Sequence, residues 1–166
     1  WFWIGNIFLR LLIAGILGGI VGFEREYANQ PAGLRTHILV CIGSALVMIT
    51  ADYLHVYYSA TYSVSVDPAR MGAQVISGIG FLGAGTILRN GNSVKGLTTA
   101  AGLWAVACIG LACGIGFYEG ALIATTLTVV TLLLTRPLQR WHDNKHGDTV
   151  LIIELASFSQ DVSSII

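Results

Sequence analysis

Long apolar segments separated by short polar connections make up most of the chain. Five such segments can be marked, at residues 4–23, 38–54, 71–88, 97–113 and 117–134. A helix of this length rises about 26–30 Å, which is close to the thickness of a bilayer core. The pattern therefore predicts an all-α polytopic membrane protein, with about five transmembrane helices within residues 1–135.

The composition agrees with this prediction. Hydrophobic residues make up 54% of the 166 residues, charged residues only 11%, and the mean hydropathy is +0.71. These values lie far from those of a soluble domain, so the chain is expected to lie among membrane lipids. The formal net charge is zero, which gives no basis for expecting nucleic acid as a partner.

Lysine and arginine are unevenly distributed among the connections. They occur in 24–37 (Arg25, Arg35), in 89–96 (Arg89, Lys95) and in the tail (Arg136, Arg140, Lys145), whereas 55–70 has only Arg70 and 114–116 has none. Basic residues are retained on the cytoplasmic side of a membrane. The N-terminus is therefore predicted to lie outside and the C-terminus in the cytoplasm.

The third segment has one polar face. Arg70, Gln74 and Ser77 are spaced i, i+4 and i+7, so they share one side of a helix. A charge or an amide left in hydrocarbon costs several kcal/mol, about 3 or more for the charge, so this face requires protein neighbours. It is either a polar seam that holds a helix bundle together or part of a substrate or ion path.

Glycines occur in pairs four residues apart, a spacing that allows close helix contact. The first segment has Gly15/Gly19 and Gly18/Gly22, and the fourth has Gly110/Gly114. We expect such pairs to form an interface with a second subunit, giving a homodimer or higher oligomer, somewhat more than to pack within one chain.

The third segment has a denser group of glycines, Gly78, Gly80, Gly83 and Gly85. Each glycine weakens helix propensity by about 1 kcal/mol. A kink or break is therefore predicted here, as in transporters that present backbone groups to ions, although the glycines equally suit a tight helix crossing.

Ionisable residues form two predicted layers. Arg10, Asp52 and Arg70 fall in the outer third of the membrane under the proposed topology and are expected to form one cluster, with Gln74 on the same polar face as Arg70. Asp52 between two arginines either compensates their charge or marks an ion or proton path.

The inner layer is predicted to be a charged network that joins the cytoplasmic ends of the first three helices. Its candidate members are Glu24, Arg25, Arg35, His37 and Arg89. A guanidinium can bind a carboxylate through two hydrogen bonds, so an arginine of this set is expected to fit Glu24.

Catalytic patterns are absent from the sequence. It has no GxxxxGK loop, no HExxH and no GxSxG, so a non-enzyme without a cofactor is predicted. Cys41, Cys108 and Cys113 lie in apolar runs without metal-ligand spacing and are expected to be buried thiols. No metal site can be assigned: His142 and His146 are spaced i, i+4, but no third ligand lies nearby, so a hydrated linker is the favoured interpretation.

Four linked motifs carry a family resemblance. They are GFER at 22–25, PAGLRTH at 31–37, SGIGFLGAG at 77–85 and GLTTAA at 96–101. In order and spacing they resemble the MgtC/SapB family of bacterial inner-membrane proteins. The resemblance implies a polytopic membrane domain, often followed by a cytoplasmic ACT-like domain. It also implies a link to growth at low magnesium, to intracellular survival in pathogens and, in some members, to modulation of the F-type ATP synthase.

The tail suits the beginning of such a domain. Residues 136–148 are predicted to be a cytoplasmic linker, and 149–155 are rich in β-branched residues, as expected of a first strand. The 18 residues from Thr149 to the end cannot bury a core by themselves. We therefore expect 149–166 to be only the start of an α+β domain.

Two functions remain open. The first is a regulator that packs against another membrane complex through small-residue helix faces, with F-type ATP synthase as the complex that the resemblance suggests. The second is a transporter or channel for magnesium or another cation, with Asp52, Gln74 and the broken third helix along its path. Hard cations require several oxygen ligands, and Asp52 is a single intramembrane carboxylate, so regulation is favoured.

Overall fold

The computed structural model describes residues 2–91 and 93–135. Each apolar segment lies in a helix. The helices are α1 (Phe2–Tyr27), α2 (Leu34–Tyr62), α3 (Ala69–Thr86), α4 (Leu97–Ile115) and α5 (Tyr118–Thr135), and a hairpin of β1 (Leu88–Asn90) and β2 (Ser93–Lys95) joins α3 to α4. The predicted ACT-like domain, the linker and both tail histidines lie outside the described residues.

The chain divides into two compact units, Trp1–Val129 and Val130–Ile166. The second unit is described only over residues 130–135, which continue α5. The first unit contains α1 to α4, the hairpin and the beginning of α5. All the contacts discussed below belong to it.

Four of the described helices, α1, α2, α4 and α5, are long and apolar enough to cross a membrane. Helix α3 is not among them, because Arg70, Gln74 and its glycines lower its hydropathy. The prediction of about five membrane spans is therefore not confirmed, although α3 has the 18 residues that a crossing needs.

Helix α4 contributes the largest share of the core. Its Leu103, Val106 and Ile109 are buried, and α1, α2 and α3 all contact it. Helix α2 also contacts three helices, α1, α3 and α4, whereas α3 packs mainly on α4. Because α4 has neighbours on several sides, its buried residues are not confined to one helical stripe.

The glycine pairs of α1 and α4 pack within the chain. A β-carbon built on Gly18 would lie 2.6 Å from Cβ of Cys41, and one on Gly22 would lie 2.9 Å from Cβ of His37. One built on Gly110 would lie 2.3 Å from the Cys41 carbonyl oxygen. The expectation that these pairs meet a second subunit was wrong, because α2 occupies the space in front of them.

The remaining members of these pairs, Gly15, Gly19 and Gly114, also face α2. A β-carbon on Gly15 or Gly19 would meet the side chains of Ile42 and Ile38 at 3.3 and 3.5 Å. A β-carbon on Gly114 would lie only 2.4 Å from the Ala45 carbonyl oxygen. Helix α2 therefore has glycine contacts on two sides, one to α1 and one to α4.

Helix α3 is continuous from Ala69 to Thr86, so the predicted break at its glycines is wrong. Gly72, Ile79 and Gly83 form its buried stripe, and a β-carbon on Gly83 would lie 3.4 Å from Cβ of Ala100 on α4. Packing along this stripe stabilises the helix despite its low intrinsic propensity. Gly78, Gly80 and Gly85 have open space in front of them.

The turns after α3 and α4 depend on glycines with positive φ. Gly96, at φ 90°, ends the hairpin where a β-carbon would fall 1.9 Å from the Thr86 carbonyl oxygen. Gly116, also at φ 90°, ends α4, and the next residue, Phe117, donates its backbone N–H to the Ala112 carbonyl. Gly116 therefore lets the chain leave α4, and α5 begins two residues later.

Candidate functional site

Buried polar residues collect where α1 ends and where α2 and α4 begin. We call this set, Glu24, Arg25, Gln30, His37 and Thr99, the inner polar cluster. All except Gln30 are buried, and His37 and Thr99 are fully so. Polar side chains inside a membrane bundle are costly, so each needs a partner of its own.

Glu24 and Arg25 form a two-point ion pair. The Arg25 Nη2 donates to Glu24 Oε1 at 2.8 Å, and Nε of the same guanidinium donates to Oε2. The side chains are only 6% and 4% exposed. Because both charges are buried, each stabilises the other in place, and loss of Glu24 would leave the Arg25 guanidinium without this counter-charge.

His37 has one satisfied and one unsatisfied ring nitrogen. Its Nδ1 lies 2.9 Å from the Gly33 carbonyl oxygen, which only accepts, so Nδ1 carries the hydrogen. In the neutral ring Nε2 is then an acceptor, and it is buried without a hydrogen-bond partner. It lies close to α4, 3.7 Å from where a β-carbon on Gly102 would be. This nitrogen can accept a proton or a hydrogen bond.

The Thr99 hydroxyl connects α4 to the connection between α1 and α2. It donates to Gln30 Oε1 at 3.3 Å, and Gln30 Nε2 donates to the Ala28 carbonyl at 3.2 Å. Neither residue was among the sequence candidates. An isolated threonine or glutamine carries no signal in the sequence, because its partner is 69 residues away.

The structure does not place Arg35 or Arg89 in a network with Glu24. Both are exposed, and among the described residues neither forms an ion pair. Arg35 lies on the outward side of the first turn of α2, and Arg89 lies in β1, where its Nε donates to the Gly91 carbonyl at 3.3 Å. An arginine of the predicted set, Arg25, does bind Glu24, but the wider network with Arg35 and Arg89 is not formed among the described residues.

Glu26 binds a backbone group rather than a side chain. Its Oε2 accepts a hydrogen bond of 2.8 Å from the backbone N–H of Leu34, which is the first residue of α2. Gly33 leaves room for this carboxylate, since a β-carbon there would lie 2.9 Å from the same oxygen. Glu26 therefore caps α2 from another element, an arrangement that local capping patterns do not predict.

At the opposite end of the bundle, Arg10 connects α1 to α2 and α4. Its Nη1 donates to the Gly114 carbonyl at 2.7 Å and lies 3.5 Å from Asp52 Oδ2, while Nε donates to Asn6 Oδ1 at 3.2 Å. The pairing of Arg10 with Asp52 follows the sequence expectation. Arg70 does not join it, because this residue is exposed and has no ion pair within the described part of the chain.

Substitutions in the contact between Arg10 and Asp52 should lower the free energy of unfolding in proportion to the number of bonds that they remove. Arg10→Met removes the bonds to Gly114 and Asn6 as well as the ion pair, so we expect a loss of about 2 kcal/mol in the free energy of unfolding. Asp52→Ala should cost about 1 kcal/mol or less, because the aspartate is 39% exposed. Unfolding followed by circular dichroism in detergent measures both.

Arg70→Met serves as the matched control for that series. It removes an arginine that has no ion pair among the described residues, so stability should stay within about 0.5 kcal/mol of wild type. A loss for Arg70→Met equal to that for Arg10→Met would contradict the two-residue contact and favour the three-residue cluster.

The outward face of α3 carries three polar residues and one phenylalanine. Arg70, Gln74, Ser77 and Phe81 are all exposed, Phe81 by 84%. The buried stripe of the helix lies on the other side. The bundle itself therefore leaves uncovered the polar face that the sequence predicts to need protein neighbours.

Metal ligands are not grouped in the structure. Within residues 2–91 and 93–135, no three histidine, cysteine, aspartate or glutamate side chains come together. The cysteines are free, with Cys41 and Cys113 buried and Cys108 half-buried. The burial of Cys41 and Cys113 agrees with the sequence analysis.

The MgtC family model matches residues 11–141 of the chain. The protein belongs to the MgtC family. Three similar proteins are Escherichia coli K12 putative magnesium transporter YhiD, Bacillus subtilis protein SapB and Brucella abortus protein MgtC. They are 43%, 40% and 43% identical to it over 75%, 80% and 75% of its length.

The alignments cover 58%, 57% and 49% of those three relatives, so the chain spans about half the length of the curated relatives that it matches. No solved structure matches the chain. Together with the apolar helices, membership of the MgtC family identifies a multi-pass membrane protein.

Proposed function

We propose that the protein is a non-enzymatic regulator that binds another membrane complex through the outward face of α3. The observation that supports this most is the exposure of Gln74 and Ser77 on a helix that packs on α4 through its opposite side. The proposed function is regulation by contact.

The physical argument concerns the cost of that face. An amide without a partner in hydrocarbon costs about 4 kcal/mol or more, and exposed arginine and serine add to this. A second helix that supplies hydrogen-bond partners removes the cost. Association of membrane helices is driven by such bonds and by close packing, which makes α3 a suitable contact surface.

The partner to test first is the F-type ATP synthase, which the family resemblance suggests. We also propose that the protein lies in a bacterial inner membrane with its N-terminus outside and its C-terminus in the cytoplasm. The distribution of Arg and Lys residues supports that orientation if α3 crosses the membrane. A reporter fused after residue 135 would reveal the side on which the C-terminus lies.

Photo-crosslinking from α3 tests the proposed regulation. A photoreactive phenylalanine analogue replaces Phe81, and in a matched control it replaces Phe8 of α1, which is also exposed, by 67%. We expect an adduct with an ATP synthase subunit from position 81 and none from position 8. Adding Gln74→Leu should abolish this adduct. It should also abolish any change that the protein causes in the rate of ATP synthesis by membrane vesicles.

Two outcomes would count against this proposal. An adduct between two copies of this chain would assign the α3 face to a homodimer or higher oligomer. An adduct of equal yield from both positions would show collision rather than binding.

Magnesium or other cation transport is the second candidate. It is favoured by the relative named putative magnesium transporter YhiD and by Asp52, a carboxylate within an apolar helix. Its weakness is ligand number, since a hard cation takes six or more oxygens and the described part of one chain presents few together. Magnesium flux into liposomes that contain only the purified protein distinguishes the two candidates.

A further inference from the structure

An apolar groove runs between α2 and α3. Its larger part has a volume of about 470 Å³ and is lined by residues that include Gly43, Val47, Val75 and Gly78. A neighbouring part of about 380 Å³ continues toward Thr36 and Thr86. Leu82 lines both parts, so we treat them as one feature, the α2/α3 groove.

The length of the groove matches one leaflet of a bilayer. Along α3 it extends from Val75 to Thr86, a rise of about 16 Å. Half of a hydrocarbon core is about 15 Å. A groove of this length can hold one acyl chain that reaches from the end of α3 that carries Thr86 to about the middle of a bilayer.

Basic residues flank the Thr36 and Thr86 end of the groove. Arg35 precedes Thr36, and Arg89 and Lys95 lie in the hairpin that follows Thr86. All three are exposed, and among the described residues none forms an ion pair. Nearby, Glu24 is bound to Arg25. Glu26, which accepts the Leu34 N–H, is the exposed carboxylate of this end among residues 2–91 and 93–135.

We propose that the α2/α3 groove binds an anionic phospholipid. An acyl chain lies along the apolar groove, and the phosphate lies near Arg35, Arg89 and Lys95. In a membrane, space that the protein does not fill is filled by acyl chains, and the excess of positive charge favours an anionic headgroup over a neutral one. The groove shares Phe81 with the outward face of α3, but the lipid proposal does not rest on the proposed regulation.

Native mass spectrometry of the purified full chain tests this site. The protein is released from mixed vesicles of phosphatidylglycerol and phosphatidylcholine, and bound lipid is counted. We expect wild type to retain phosphatidylglycerol in preference to phosphatidylcholine. Gly78→Leu should reduce retention about tenfold, because leucine displaces acyl methylenes from the groove.

Gly80→Leu is the matched control. Gly78 and Gly80 lie in the same helix, and a β-carbon on either has no neighbour within 4 Å, so the two positions are equally open at the β-carbon. Only Gly78 lines the groove. Gly80→Leu should retain phosphatidylglycerol as wild type does. Gly43→Leu, on the α2 side of the groove, is a second blocking variant with equally open space, should Gly78→Leu fail to fold.

Headgroup recognition is tested separately. Arg35→Gln combined with Arg89→Gln should remove the preference for phosphatidylglycerol and leave total lipid retention nearly unchanged. Equal retention of both lipids by wild type, or an equal loss in Gly78→Leu and Gly80→Leu, would overturn the proposal. Unchanged lipid retention in both blocking variants, Gly78→Leu and Gly43→Leu, would also overturn it. If Gly78→Leu then abolished the crosslink from position 81, the groove would be assigned to a partner helix instead.

Discussion

Gly110→Ala is expected to lower the free energy of unfolding by about 3 kcal/mol, the upper range for an overpacked core. The added β-carbon would lie 2.3 Å from the Cys41 carbonyl oxygen and 2.8 Å from Cβ of Ser44. The carbonyl belongs to the backbone of α2 and cannot rotate away as a side chain does. Helices α2 and α4 must therefore separate, which disturbs the core around α4.

Gly43→Ala provides the control for this substitution. Gly43 also lies within a helix, but a β-carbon there has no neighbour within 4 Å. Alanine has the higher helix propensity, so this variant should be unchanged or more stable by up to about 1 kcal/mol. Unfolding in mixed detergent micelles, followed by circular dichroism, measures both. Equal stability of the two variants would show that α2 and α4 are farther apart than in the structure.

Glu24→Gln is expected to cost about 3 kcal/mol or more, because it leaves the buried Arg25 guanidinium without a counter-charge. Glu26→Gln, two residues away, is the matched control. The Glu26 side chain is exposed and its amide can still accept the Leu34 N–H, so the loss should stay below about 1 kcal/mol.

A double variant separates the ion pair from other effects of the substitution. Glu24→Leu with Arg25→Met replaces both charges by apolar side chains of similar volume, which is often neutral in buried pairs. We expect it to recover most of the stability that Glu24→Gln loses. A double variant no more stable than the single one would show that Glu24 is needed by a group other than Arg25.

The sequence determined the helices, because helix formation in a membrane depends on local hydrophobicity and length. All five apolar segments lie in helices, and the motifs at 22–25, 31–37, 77–85 and 96–101 were sufficient to identify the family. Helix ends were less accurate. Helix α2 continues to Tyr62, eight residues past its apolar segment, since a helix does not have to stop where its apolar residues do.

The candidate site was predicted in part. The grouping of Glu24, Arg25 and His37 at one end, and the approach of Arg10 to Asp52 at the other, follow from depth along the helices. The burial of Glu24 and Arg25, the exclusion of Arg35 and Arg89 from their contact, and the isolation of Arg70 do not. Depth is a property of sequence position, but partner choice depends on how each helix is rotated about its axis.

The glycines show most clearly what only the tertiary structure decided. Gly18 and Gly110 allow contacts with α2, whereas Gly78 and Gly80, which look equivalent in the sequence, face open space. The predicted break in α3 did not occur for a related reason, because packing of Gly72, Ile79 and Gly83 outweighs low propensity. A glycine shows that a close approach is permitted, and only the positions of neighbouring helices decide whether one is made.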